Sequence, residues 1–149
     1  MKLYVFLLIL AAFLQTSIIP INLVLILLII RSFLIEDKAN YLASFFLGIL
    51  LGILSSSNVG YWSLIFLLVV KIVYLTKKLP FFENASTFLL LSFILVLFVN
   101  VSSGLILKQT IDYRLVLIEA LVSLPIFWLI RLWEERFVVK SDIRLKIKK

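Results

Sequence analysis

The sequence predicts an all-α fold, a polytopic membrane bundle of about six transmembrane helices. Three observations point to it. Of 149 residues, 64% are apolar and only 15% are charged, with a mean hydropathy of +1.21, whereas a soluble domain runs nearer half apolar and a quarter charged. Charge-free runs are long, with 28 residues from Leu3 to Ile30, 32 from Ala39 to Val70 and 24 from Asn84 to Leu107. About 20 such residues match a hydrocarbon core. The cationic residues also gather in alternate connections, the pattern of a chain that keeps its positive charge on one side of a bilayer. The surplus apolar surface needs a solvent other than water, so lipid is the first partner expected.

The first run is too long for one straight crossing. Twenty-eight residues of helix would span about 42 Å, against about 30 Å of hydrocarbon. Gln15-Thr16-Ser17, then Pro20 and Asn22, mark the break, because proline removes a backbone donor and disfavours helix in the residue before it. Span 1 is expected over 3–17 and span 2 over 20–35, with one kinked helix over 3–30 as the alternative. Lys2 ahead of an apolar core has the look of a signal peptide. No small-x-small cleavage site with a polar chain behind it follows, so a retained span is expected. Arg31, near the end of span 2, should reach back to the headgroups.

The second run divides at Ser55-Ser56-Ser57-Asn58-Val59-Gly60, a turn sequence. Span 3 is expected over 40–54 and span 4 over 61–76, with Tyr61 and Trp62 as an interfacial aromatic pair. Thr76 to Asn84, with Lys77, Lys78 and Pro80, is a polar connection. Span 5 is expected over 85–107 and, after the short loop Lys108 to Arg114, span 6 over 115–133. Residues 1–133 then form the transmembrane domain and 134–149 a basic tail. With six spans and an inside N-terminus, the outside loops hold only Lys108 and Arg114 of the 15 basic residues. Both termini are therefore expected on the cytoplasmic side.

The chemical inventory is thin. The sequence has no cysteine and no histidine, which removes disulfides, thiol nucleophiles, the usual zinc and haem ligand sets and the commonest general base. No cofactor and no catalytic or metal residue is expected. Seven of the 8 acidic residues fall in expected loops or the tail, where solvated charge is the plain reading. Glu119 falls inside an apolar span, where a charge costs several kcal/mol unless paired or near the interface. It is read either as an interfacial carboxylate partnered by Lys108 or Arg114, or as a group used in binding, proton coupling or partner contact.

Gly48-Ile49-Leu50-Leu51-Gly52 places two glycines on one helix face, which lets another backbone come close. The neighbour is either a helix of the same chain or a partner, so Gly48, Gly52 and the turn residue Gly60 are partner-contact candidates. Asn100, Ser102 and Ser103, with Gly104, form a polar patch in the outer half of span 5, and Gln15 and Asn22 are similar features near the first break. Hydrogen bonding between helices is the plain reading, and a small polar cavity open to the outside the alternative. In the tail, Ile143 to Lys148 alternates apolar and basic residues. Such a segment either frays against anionic lipid or pairs as a strand with a cytoplasmic partner. Nucleic-acid binding is not expected, since topology accounts for the basic excess.

Several of these features together resemble the rod shape-determining protein MreD family. The matching stretch begins at Leu14-Gln15-Thr16-Ser17 and runs through Pro20-Ile21-Asn22-Leu23-Val24-Leu25. The second match is Gly48 to Ser55, followed by Ser56-Ser57-Asn58-Val59-Gly60-Tyr61. Both span-3 glycines and the closing Gly60 are present, while Ser55 stands where the family commonly has an aspartate. The resemblance covers roughly residues 14–75 in motif and the whole chain in length, span count and basic C-terminus. It implies a non-enzymatic scaffold of the bacterial cell-elongation (rod shape, peptidoglycan synthesis) machinery in the inner membrane. The implied partners are an MreC-like single-span protein and, through it, actin-like MreB and the peptidoglycan synthases. The implied fold is similar to the substrate-binding subunits of energy-coupling-factor transporters. The competing expectation is a transporter subunit that captures a vitamin-like solute at Asn100, Ser102, Ser103 and Glu119.

Overall fold

The computed structural model describes residues 2–18, 21–56, 58–78, 85–108 and 112–146. Six helices follow one another: α1 (Lys2–Ser17), α2 (Leu23–Leu34), α3 (Ala39–Leu54), α4 (Val59–Lys77), α5 (Ala85–Leu107) and α6 (Tyr113–Lys146). Among the described residues there is no strand. The first run is two helices, not one kinked helix, and Asn22 opens the second of them. The expected breaks at Pro20 and Pro80 lie outside the described residues.

Lengths differ more than the hydropathy suggests. Among the described residues, three helices are long and apolar enough to cross a membrane: α4 over Gly60–Lys77, α5 over Thr87–Leu107 and α6 over Tyr113–Leu132. The apolar helices α1, α2 and α3 have 16, 12 and 16 residues. At 1.5 Å per residue, α2 is only about 18 Å long. Large apolar side chains, among them Phe6, Phe13, Phe46, Leu64, Ile94 and Leu129, point outward from the bundle, as they do where the surrounding medium is hydrocarbon.

The centre of the bundle is α2, which packs against all the other helices. Val24, Leu25, Ile26, Leu28, Ile29 and Ile30 are buried, and so are Ser32 and Phe33. A helix that is apolar all round belongs inside rather than on a surface, and Leu23 to Ile30 has no polar side chain to turn outward. Near the far end of α2, Phe33 meets Phe88 of α5 edge-on at 5.2 Å and Phe127 of α6 at 5.9 Å, while Phe88 and Phe127 stack at 4.2 Å. Helices α5 and α6 run antiparallel. Ser92 shares a 2.9 Å hydrogen bond with Ser123, and Asn100 bonds Glu119.

Three expectations are corrected here. Tyr61 is not an interfacial anchor: it is 9% exposed and belongs to the core, with its ring edge-on to Trp62. Gly60 is not a turn residue of the 55–60 connection. Ser56 takes the left-handed conformation there (φ 50), and Gly60 lies in the first turn of α4. Residues 134–146 are helical, because α6 continues through them to Lys146. No glycine or proline follows Pro125, and Glu, Arg, Lys and Leu are good helix formers, so nothing local stops the helix. The strand reading of Ile143 to Lys148 is therefore replaced by helix as far as residue 146; residues 147–149 lie outside the described ones.

Candidate functional site

The polar residues of the apolar spans meet at the start of α2. A helix that begins inside the bundle brings in four backbone N–H groups with no intrahelical acceptor, and in hydrocarbon each unsatisfied one costs several kcal/mol. All four are answered. The Asn22 N–H donates to Glu119 Oε1 at 2.7 Å, and the Leu23 N–H to the Ile21 carbonyl at 2.8 Å. The Val24 N–H donates to Gln15 Oε1 at 3.0 Å, and the Leu25 N–H to Asn22 Oδ1 at 3.2 Å. The first intrahelical bond, Ile26 N–H to the Asn22 carbonyl at 3.2 Å, follows directly.

Each donor is met from a different place. Gln15 comes from the last turn of α1, Asn22 is the N-cap of α2, and Glu119 comes from the second turn of α6. Helix α5 adds Asn100, whose amide donates to Glu119 Oε2 at 3.2 Å and to the Val96 carbonyl at 3.0 Å. Both carboxylate oxygens of Glu119, which is 4% exposed, therefore take a donor from inside the chain. The positive end of the α2 dipole faces the carboxylate, a favourable arrangement for a negative group. The partner of Glu119 is thus not Lys108 or Arg114 but a helix start and an amide.

The structure brings together Asn22, Asn100 and Glu119 of the candidates read from the sequence. The two serines take other roles. Ser103 is buried and donates to the Asn100 carbonyl at 2.9 Å, beside the Tyr61 hydroxyl. Ser102 donates to the Phe98 carbonyl at 2.7 Å, within its own helix.

The glycine face is filled by the same chain. A Cβ at Gly48 would lie on the backbone of Ser63 and Trp62 in α4, and Gly52 is buried as well. Next to this contact the Ser63 hydroxyl donates to the Phe45 carbonyl at 3.0 Å. Of the two readings of this face, close packing within one chain is what Gly48 does. Gly60 is the opposite case: it is exposed, and a Cβ there would meet nothing within 4 Å.

A second polar centre, which the sequence reading missed, locks the other end of the bundle. Asn40, 1% exposed, accepts from Arg31 Nε at 3.0 Å. Its amide donates to the Ile35 carbonyl at 2.8 Å and to the Tyr74 hydroxyl at 2.7 Å. Tyr74 in turn donates to the Asp37 carbonyl at 2.9 Å and accepts the Asp37 N–H at 3.1 Å. Lys77 Nζ donates to the Leu34 carbonyl, at the C-terminal end of α2, at 3.4 Å. Arg31 therefore holds Asn40 as well as carrying charge. The only signal in the sequence was an asparagine in the first turn of an apolar run. Asn40→Leu is expected to remove three hydrogen bonds, to Arg31 Nε, the Ile35 carbonyl and the Tyr74 hydroxyl, and to cost about 2–3 kcal/mol. Denaturant unfolding in detergent measures this, and Asn40→Asp, which keeps the acceptor for Arg31, should lose less.

Comparison with family models, with curated proteins and with solved structures finds no match to this chain.

Proposed function

We propose that this protein is a non-enzymatic, multi-pass scaffold of the inner membrane, similar to the MreD family, that serves the bacterial cell-elongation machinery through lateral helix contacts. The observation that carries the reading is the motif layout. Gln15 and Asn22 flank the first break, and Gly48, Gly52 and Gly60 bracket the first α3–α4 contact, in a chain of six helices whose cations, all but Lys108 and Arg114, fall in segments expected on one side. Geometry supports it in a specific way. The polar atoms of Gln15, Asn22, Asn100 and Glu119 are engaged in holding α2, while outward faces of α1, α3, α5 and α6 are apolar and suited to neighbours in the bilayer.

The partners proposed are an MreC-like single-span protein and, through it, MreB and the peptidoglycan synthases. In this reading both termini face the cytoplasm, because that orientation leaves only Lys108 and Arg114 of the 15 cations outside. The test is co-purification of the full chain from its own host in mild detergent, with the single-span membrane proteins recovered identified by mass spectrometry. Recovery of an MreC-like partner is expected. Recovery of a transporter ATPase instead, or of a tightly held small solute lost on Asn100→Leu, would replace this reading with the transporter one. Because the chain has no cysteine, orientation is tested cleanly by Ser56→Cys, which should react with an impermeant thiol reagent from outside intact cells.

A further inference from the structure

A cavity of about 520 Å³ opens at the lysine-rich end between the α2–α3 connection and α4, lined by Glu36, Asp37, Lys38, Tyr41, Lys71 and Lys78 among others. Lys38, Lys71 and Lys78 are all exposed. Lys71 is the unexpected member. It precedes the end of α4 by six residues, which places its Cα about 9 Å inside the helix end. A cation at that depth extends its stem toward the headgroups, where it can meet a lipid phosphate.

What lies beside the cavity narrows the ligand. Leu64, Leu68, Lys71 and Leu75 recur at helical spacing on one face of α4, and the three leucines are 63%, 38% and 56% exposed. On α3, Lys38, Tyr41 and Phe45 share a face by the same spacing, and Phe45 is exposed as well. The Phe45 carbonyl is joined to Ser63 of α4, so the two faces adjoin. A charged cavity thus continues into an apolar stripe, the profile of an amphiphile and not of a free anion. The carboxylates do not cancel the lysines. Three cations, Lys38, Lys71 and Lys78, face two carboxylates, Glu36 and Asp37, of which Asp37 is also the local cap of the Ala39 N–H at 3.1 Å, so the lining keeps a net positive charge.

We infer that this cavity, with the apolar stripe beside it, is a binding site for one anionic glycerophospholipid, whose phosphate is held by Lys38, Lys71 and Lys78 and whose acyl chain lies along Leu68 and Leu64. The inference rests on the membrane placement of the chain and not on the scaffold reading, so loss of an MreC-like partner would leave it intact.

Native mass spectrometry of the detergent-solubilised full chain, titrated with phosphatidylglycerol, phosphatidylcholine and inorganic phosphate in separate arms, tests it. One phosphatidylglycerol should be retained in preference to phosphatidylcholine. At about fivefold per lysine removed, K71Q/K78Q should lower that retention by more than tenfold, and Glu36→Gln should raise it. Lys108→Gln, at the other end, should change nothing. Equal retention by K71Q/K78Q, or by both lipids, overturns the site. Competition by inorganic phosphate at equal concentration overturns the lipid assignment in favour of a soluble anion. If the double variant fails to fold, Glu36→Gln decides: no gain in retention counts against the proposal.

Discussion

Glu119→Leu should destabilise the folded protein by about 2–5 kcal/mol, the largest effect expected of any single side chain outside the glycine contact. Leucine fits an apolar span better than glutamate, so hydropathy alone predicts a gain. The sign reverses because Glu119 is the acceptor for the Asn22 N–H at 2.7 Å and for the Asn100 amide at 3.2 Å. Removing it leaves the Asn22 N–H without its acceptor and takes one of the two hydrogen bonds of the Asn100 amide, which keeps the Val96 carbonyl, and each loss costs about 1–3 kcal/mol. Glu119→Gln keeps one acceptor oxygen and should lose roughly half as much. Thermal or denaturant unfolding in one detergent orders the three proteins. A Glu119→Leu protein as stable as the parent would show that the α2 start is satisfied in some other way. Asn22→Ala should be milder, about 1 kcal/mol for a lost helix cap.

The second large effect is at Gly48. Gly48→Leu places a branched side chain on the Ser63 backbone, which cannot move aside as a flexible side chain would. Helices α3 and α4 must separate, and the Ser63–Phe45 bond goes with them. The expected cost is at least about 3 kcal/mol, the upper range for overpacking, seen as loss of folded protein in size-exclusion chromatography. Gly48→Ala should already cost about 1–3 kcal/mol. Gly60→Ala is the counterpart. Nothing stands within 4 Å of its Cβ, and the site is helical, so it should be neutral or slightly stabilising. If Gly48→Ala and Gly60→Ala behave alike, the α3–α4 contact is not as close as described. A partner lost with Gly48→Leu would reflect this damage first, so partner contacts are better probed at outward residues such as Leu42 or Phe46.

Helix boundaries were legible because they rest on local chemistry. Expected spans over 3–17, 40–54 and 85–107 agree with α1, α3 and α5 to within a residue at each end, since uncharged runs and turn residues act over a few positions. Span 2 was placed too early, over 20–35. Its true start is set by what caps it, and Gln15 and Glu119 reach it from α1 and α6. The interfacial placement of Tyr61 failed for a related reason: an aromatic at a helix start anchors in the interface only if no neighbour covers it, and here the bundle does. The extension of α6 past residue 133 was missed because alternation over Ile143 to Lys148 looks like a strand when no helix is known to be arriving from upstream.

Composition and order along the chain therefore determined by themselves that this is an all-helical protein with six apolar segments, where those segments break, and which turns carry the positive charge. These properties follow from hydropathy and backbone propensity, which each residue expresses locally. Only the tertiary structure decided that the shortest segment, α2, is the centre, that Glu119 caps it, that Gly48 receives α4 and that Asn40 ties Arg31 to Tyr74. Each of these pairs residues from different helices, and hydropathy is indifferent to which apolar helix faces which. The choice among packings is made where a buried donor must find an acceptor or where two backbones must fit against each other.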